Sequence, residues 1–180
     1  MTQPIVQKNT PVLRESAKPV AYFRSSALNK IITSMAEAMF AEPDGIGIAA
    51  PQIGISKQIF LVASDVLSPE ALDRRIHQKN KKKASSVSAQ DYMVFTNPMF
   101  LKLSSKKTKD IEGCLSVRGY YGEVARPEKV TIEYYDETGA KKKRGASGLF
   151  ARVLQHEMDH LNGMLFIDRA SHVEKIETTG

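Results

Sequence analysis

The residues with the clearest chemistry lie in Gln155-His156-Glu157-Met158-Asp159-His160, where two histidines stand four apart and a glutamate follows the first. On a helix, positions four apart share a face, one turn above the other. Two imidazoles so placed can grip one metal ion, and Glu157, slightly to one side, can handle a proton from a water that the ion activates. A catalytic zinc or iron needs a third protein ligand and one open position. One zinc-protease pattern supplies a His six residues after the second, but Phe166 stands there. Glu174 and Glu177 are poorly placed, in a polar stretch near the end of the chain. Cys114 is the sole cysteine, and a thiolate is a strong ligand for zinc or ferrous iron. The ligand reading is favoured for Cys114 over that of an inert buried thiol.

These residues need elements to carry them. Ser147 can cap the helix bearing the histidines, Asn162-Gly163 can end it, and Leu149, Val153, His156 and His160 share one face. An earlier helix starts at Ser25 or Ser26, with Leu28, Ile31, Ile32, Met35 and Met39 as its buried stripe, and stops at Glu42-Pro43-Asp44-Gly45. Before it, Val12 to Val20 reads as an extended lead-in. Gly45 to Gly54 is a run of small residues with one amide side chain, Gln52. Two glycines so close suggest that another chain or a ligand approaches the backbone. No Gly-Lys-Ser/Thr follows, so a phosphate loop fits poorly. Strands are expected at Gln58–Val62, Tyr92–Pro98, Met99–Leu103, on both sides of Cys114, and at Val130–Tyr135 with a hairpin return from Lys141. Residues 64–91 read as a polar, partly mobile surface insertion with a helix from Ser68-Pro69-Glu70 to about Gln78.

A chain of 180 residues with 42% hydrophobic residues fits a single domain with a real core. Its apolar runs are too short for a membrane span, and no basic segment followed by an apolar core marks a secretory signal. A lone cysteine excludes an internal disulfide and fits a reducing compartment such as the cytoplasm. Much of the net charge of +6 sits at Lys79 to Lys83, Lys106-Lys107 and Lys141 to Arg144. Solvated loops explain these runs, with attraction to RNA as the other reading, and no specific nucleic-acid motif accompanies them.

Gly45-Ile46-Gly47-Ile48-Ala49-Ala50-Pro51-Gln52, Glu112-Gly113-Cys114-Leu115-Ser116 and His156-Glu157-Met158-Asp159-His160 together resemble the three signature motifs of peptide deformylases, in that family's order. Leu13-Arg14, Asn97-Pro98 and Asn162 to Phe166 extend the resemblance, which runs from about Val6 to Ile167. It implies an α+β fold, with antiparallel and mixed strands wrapped around the metal-binding helix and the N-terminal helix packed alongside. It implies removal of the formyl group from the N-terminal formyl-methionine of nascent polypeptides, releasing formate. It also implies ferrous iron as the metal, with zinc, nickel or cobalt able to take its place. Carried over by position, Cys114, His156 and His160 hold the metal and Glu157 is the general acid/base. Gln52 and the N–H of Leu115 stabilise the oxyanion, and Gly47 and Ile48 lie along the substrate. On this reading residues 1–180 form one catalytic domain, with 64–91 as the insertion and 168–180 as a C-terminal tail. Arg118 departs from the Pro common after the Cys motif, and Ile48 from a frequent Leu.

Two other readings stay open on sequence grounds. A metal-dependent peptidase would use the same His-Glu-x-x-His. A non-catalytic binding module would use the lysine runs and a structural metal, but only three good ligands are present where a structural site uses four. A basic surface could also bring a deformylase to ribosomal RNA near emerging chains. A bacterial and an organellar origin read alike.

Overall fold

The computed structural model describes residues 3–77 and 87–176. Helix α1 spans Ser26–Phe40, and the Ser25 hydroxyl caps it by accepting from the Leu28 N–H. Leu28, Ile32, Met35 and Met39 are buried as the helical period requires, and Ile31 is half-buried at the edge of the stripe. Each such burial contributes about 1.5–3 kcal/mol. The lead-in differs from the extended expectation: Pro11–Arg14 forms a 3-10 turn that buries Leu13 completely.

Among the described residues eight strands follow: β1 Gly47–Ala49, β2 Ile59–Ala63, β3 Tyr92–Leu103, β4 Lys107–Gly113, β5 Tyr120–Pro127, β6 Lys129–Tyr135, β7 Lys141–Ser147 and β8 Val173–Lys175. They build a five-stranded sheet in the order β1-β2-β3-β6-β7 and a three-stranded sheet in the order β4-β5-β8. Every pairing between these strands is antiparallel; a single isolated parallel bridge joins Lys18 and Lys57. The strands expected at Tyr92–Pro98 and Met99–Leu103 are one strand, β3, with register shifts against β6. The irregularity centres on Asn97, whose φ of 46° is left-handed and whose amide both accepts from and donates to the Val20 backbone. Asn tolerates that conformation because its short side chain bonds locally. Val130 and Ile132 of β6 are buried, in line with the alternating pattern.

Helix α3, Gly148–Leu161, touches β1, β2, β6 and β7 of one sheet and β5 of the other, while α1 packs on β1 and β2. All five residues of β2 are buried, which explains its unbroken apolar sequence. Ser147 does stand at the N-cap of α3, yet its side chain makes no capping bond; it is still the extended last residue of β7. At the other end, Gly163 takes φ 70°, and a side chain there would press on the Arg14 backbone at 2.8 Å. This glycine turns the chain out of α3 beneath the N-terminal segment.

In the insertion, a 3-10 turn at Ser64–Leu67 leads to α2, Pro69–His77. Arg75 of α2 is largely buried, pairs with Asp65, and donates to the carbonyls of Pro43 (3.3 Å) and Gly45 (3.0 Å). This part of the insertion is therefore clamped to the loop that feeds β1. The Lys79 to Lys83 run and Gln78, the expected helix end, lie outside the described residues, and so does Glu177.

Candidate active site

Strand β4 ends at Gly113 and delivers Cys114 to the face of α3 that carries His156 and His160. One ligand atom from each of these three lies within 4.8 Å of the others, and Cys114 Sγ is 3.3 Å from His160 Nε2. With metal–sulfur and metal–nitrogen bonds near 2.3 and 2.0–2.1 Å, tetrahedral donors stand roughly 3.3–3.6 Å apart. The cluster fits one such ion with small adjustments. Of the other candidate positions, Phe166 and Glu174 do not join it: Phe166 packs flat near the His156 ring, 6.3 Å between centroids, and exposed Glu174 pairs with His172.

Glu112, the last residue but one of β4, organises the site from behind. It accepts from His156 Nδ1 at 2.9 Å, which turns Nε2 of that ring toward the cluster. It also accepts from Arg126 at 2.6 and 2.8 Å and from Arg152 at 2.8 Å, all of these side chains being buried or nearly so. Arg126 donates in turn to Asp159, which Arg169 grips in bidentate fashion. Burial alone would raise the Glu112 pKa, but the bonds from Arg126 and His156 outweigh it and hold the carboxyl well below its usual range. Burial likewise disfavours a charged His156, yet Cys114 and Glu112 pull its pKa well above 6.5. A bound metal ion takes the place of that proton, since only the neutral ring ligates. His160 is pushed the other way, first by burial and then by the charge on His156, so it stays neutral, the form that ligates.

Glu157 is buried, and burial pushes its pKa up to about 7. Its Oε2 has no hydrogen-bond partner among the described residues. Gly47 explains how this carboxylate fits: a Cβ there would stand 2.4 Å from Glu157 Oε1 and 3.0 Å from Val153 Cγ1. The close approach suggested by the paired glycines is therefore to the catalytic helix itself.

Gln52 sits in a buried 3-10 turn, Ala50–Ile53, directly after β1. Its Oε1 accepts from the Ala49 N–H at 2.8 Å, which aims Nε2 at Ser116 Oγ (3.2 Å) and toward Cys114 Sγ (3.6 Å). Leu115 lines the same cavity, and its carbonyl accepts from Gln7. Ile48 is fully buried in the main core, so it offers a ligand only its main chain.

A cavity of about 850 Å³ opens in front of these groups. Asp44, Ile46 and Gly47 line it on one side and Ile111, Glu112 and Gly113 on another. Both β1 and β4 are edge strands of their sheets, so main-chain groups face the cleft from two directions. The supporting residues Arg152 and Arg126 were not among the sequence candidates. Arg152 carries a readable signal, four residues before His156 and eight before His160 on the same stripe. Arg126 carries none: the β4–β5 register sets it opposite Thr108, and its side chain reaches along the sheet to Glu112.

Comparison with known proteins agrees with this geometry. A sequence profile of the family described as polypeptide deformylase matches residues 2–176. The peptide deformylase of Carboxydothermus hydrogenoformans is 37% identical over 169 residues, covering 94% of this chain and 93% of that protein. The crystal structure of peptide deformylase from Thermotoga maritima superposes with a TM-score of 0.78 at 34% identity, covering 96% of this chain and 99% of that one. A Met-Ala-Ser-bound class I type b peptide deformylase from Acinetobacter baumannii gives a TM-score of 0.77 at 33% identity, covering 94% and 99%. With sequence, fold and a Cys/His/His cluster in agreement, the chain belongs to the polypeptide deformylase family.

Proposed function

We propose that in this peptide deformylase Cys114, His156 and His160 hold the catalytic metal, Glu157 moves the proton, and Gln52 with the Leu115 N–H receives the developing negative charge. The observation that carries the reading is the three-donor cluster beside the buried Glu157 carboxyl, whose Oε2 has no hydrogen-bond partner among the described residues. The ion, ferrous iron on this reading with zinc, nickel or cobalt as substitutes, lowers the pKa of water and polarises the formyl oxygen when bound. A formyl-methionyl peptide lies extended in the cleft, its main chain along β1 at Gly47 and Ile48. Water adds to the formyl carbon, and Glu157 takes a proton from it. Charge then builds on the formyl oxygen, where Gln52 Nε2 and the Leu115 N–H donate. Glu157 returns the proton to the leaving nitrogen as the C–N bond breaks, giving formate and a free amine. A group poised near neutrality suits both halves of that transfer.

The test is formate release from formyl-methionyl peptides by oxygen-free enzyme loaded with iron, nickel or cobalt. Release that nearly vanishes in Glu157→Ala, with metal still bound, supports the assignment; unchanged turnover in that variant refutes the role of Glu157. The peptidase alternative, which the family comparisons do not favour, would show itself as cleavage of internal peptide bonds.

The chain acts as one catalytic domain on this reading, and its site is cytoplasmic, a location consistent with its single thiol. No described helix is long and apolar enough to cross a membrane. Approach to the ribosome would use Lys102, Lys129 and Lys143, exposed on neighbouring strands, although Lys141, Lys142 and Lys106 are paired with acidic groups. Salt-sensitive co-sedimentation with ribosomes supports that contact, and its absence rejects it.

A further inference from the structure

The cleft extends well past the reacting groups, and one cation on its wall is held in a way the reaction itself does not require. Arg118 follows Val117, which is buried in the small core with Leu13, Val124, Leu165 and Phe166. The next carbonyl, of Gly119, accepts from the Ile176 N–H at 2.8 Å. The Arg118 backbone is thus fixed on both sides. Its side chain reaches Glu42, just beyond α1, with Nη2 2.7 Å from Oε1 and Nη1 3.2 Å from Oε2.

This bridge does little for stability, because the Arg118 side chain is 54% exposed and exposed ion pairs contribute little. It does fix the direction of a planar group. A guanidinium carries five N–H donors, and among the described residues the hydrogen bonds of Arg118 go only to Glu42. The remaining donors are available at the wall of the cleft, where Arg118 lines the cavity with Asp44, Tyr121, Lys175 and Ile176. An extended peptide offers a main-chain carbonyl at every residue. A braced, charged donor binds such an oxygen more strongly than a neutral one and loses little freedom in doing so.

We propose that Arg118 is a specificity-determining residue: held by Glu42, it donates to a main-chain carbonyl of the substrate beyond the first peptide bond. The contact reads main chain and not side chains, so it favours longer peptides whatever their sequence. The proposal rests on the deformylase reading of the site.

The experiment compares formyl-Met N-methylamide, which ends at the first peptide bond, with formyl-Met-Ala N-methylamide, which adds one main-chain carbonyl; neither has a terminal carboxylate to compete for the guanidinium. Wild type is expected to show kcat/KM about tenfold higher for the longer peptide. In Arg118→Met, which keeps the apolar stem, that ratio falls to within about twofold, mainly through KM. In Glu42→Gln it falls part of the way, since the donor remains but is no longer braced. A ratio unchanged in Arg118→Met, an equal loss on both peptides, or no length preference in wild type overturns the proposal. Absence of formate from either peptide with wild type overturns the deformylase reading, and this inference with it.

Discussion

Gly47 and Glu157 share a space that admits no methyl group: a Cβ on Gly47 would lie 2.4 Å from the Glu157 carboxylate. The edge strand β1, proposed to lie along the substrate, and Glu157, proposed to move the proton, are thereby packed backbone to side chain. Gly47→Ala must displace Glu157 or tilt β1. It is expected to lower kcat by about 100-fold, the order that a misplacement of about 1 Å costs, while metal content stays near one per chain. Metal analysis beside formate kinetics checks this, and a variant with full turnover would show that Glu157 is not held by this contact.

Glu112 is the hub of a buried network, with Arg126, Arg152 and His156 all donating to it. Glu112→Ala leaves two buried guanidinium groups short of an anion and the His156 ring without its support. The expected loss is about 3–5 kcal/mol of stability in denaturant unfolding. Metal affinity should fall by about 10–100-fold, because orientation of a ligand ring from behind is worth that much. A chelator competition series measures the second effect separately from the first.

Gln52 is oriented by the Ala49 N–H at its oxygen end. Gln52→Leu keeps the bulk and removes the amide donor. A loss of about 10²–10³ in kcat, with KM little changed, is expected for an oxyanion donor. Loss confined to KM would assign Gln52 to ground-state binding instead.

Asp168 joins the two ends of the chain, with Arg14 Nη1 2.5 Å from its Oδ2 and the Leu165 N–H 2.8 Å from the same oxygen. Burial alone would raise its pKa, but Arg14 and the Leu165 N–H outweigh burial and hold it below 3.8. A carboxyl depressed in the folded state stabilises above its unfolded pKa, and that contribution is lost as pH falls through the folded value. Asp168→Asn should therefore cost about 0.5–1.5 kcal/mol near pH 7, with the gap to wild type closing below about pH 4. Unfolding curves at several pH values check the sign.

Local chemistry was the legible part of this chain. The α1 stripe, the α3 face, β2 and the β6–β7 hairpin follow from periods of 3.6 and 2 that burial enforces, and the three signature stretches supply the residues proposed to react. Contacts made by register were not legible. Arg126 stands opposite Thr108 in the sheet and reaches Glu112 with its side chain, and Arg118 meets Glu42 across 76 positions. Residues 168–180 read as a tail because they are polar. They nonetheless add β8 to the small sheet through backbone bonds, which composition does not announce. Asn97 joins two expected strands into one by a left-handed turn within the ladder, a choice made by Val20 rather than by its neighbours.

The assignment of Cys114, His156 and His160 as the metal shell meets its sharpest test in X-ray absorption on oxygen-free enzyme, wild type beside Cys114→Ala. One sulfur and two imidazole nitrogens around the ion in wild type, with the sulfur gone and metal weakly held in the variant, is the predicted result. A wild-type shell without sulfur, or stoichiometric tight metal in Cys114→Ala, would contradict it.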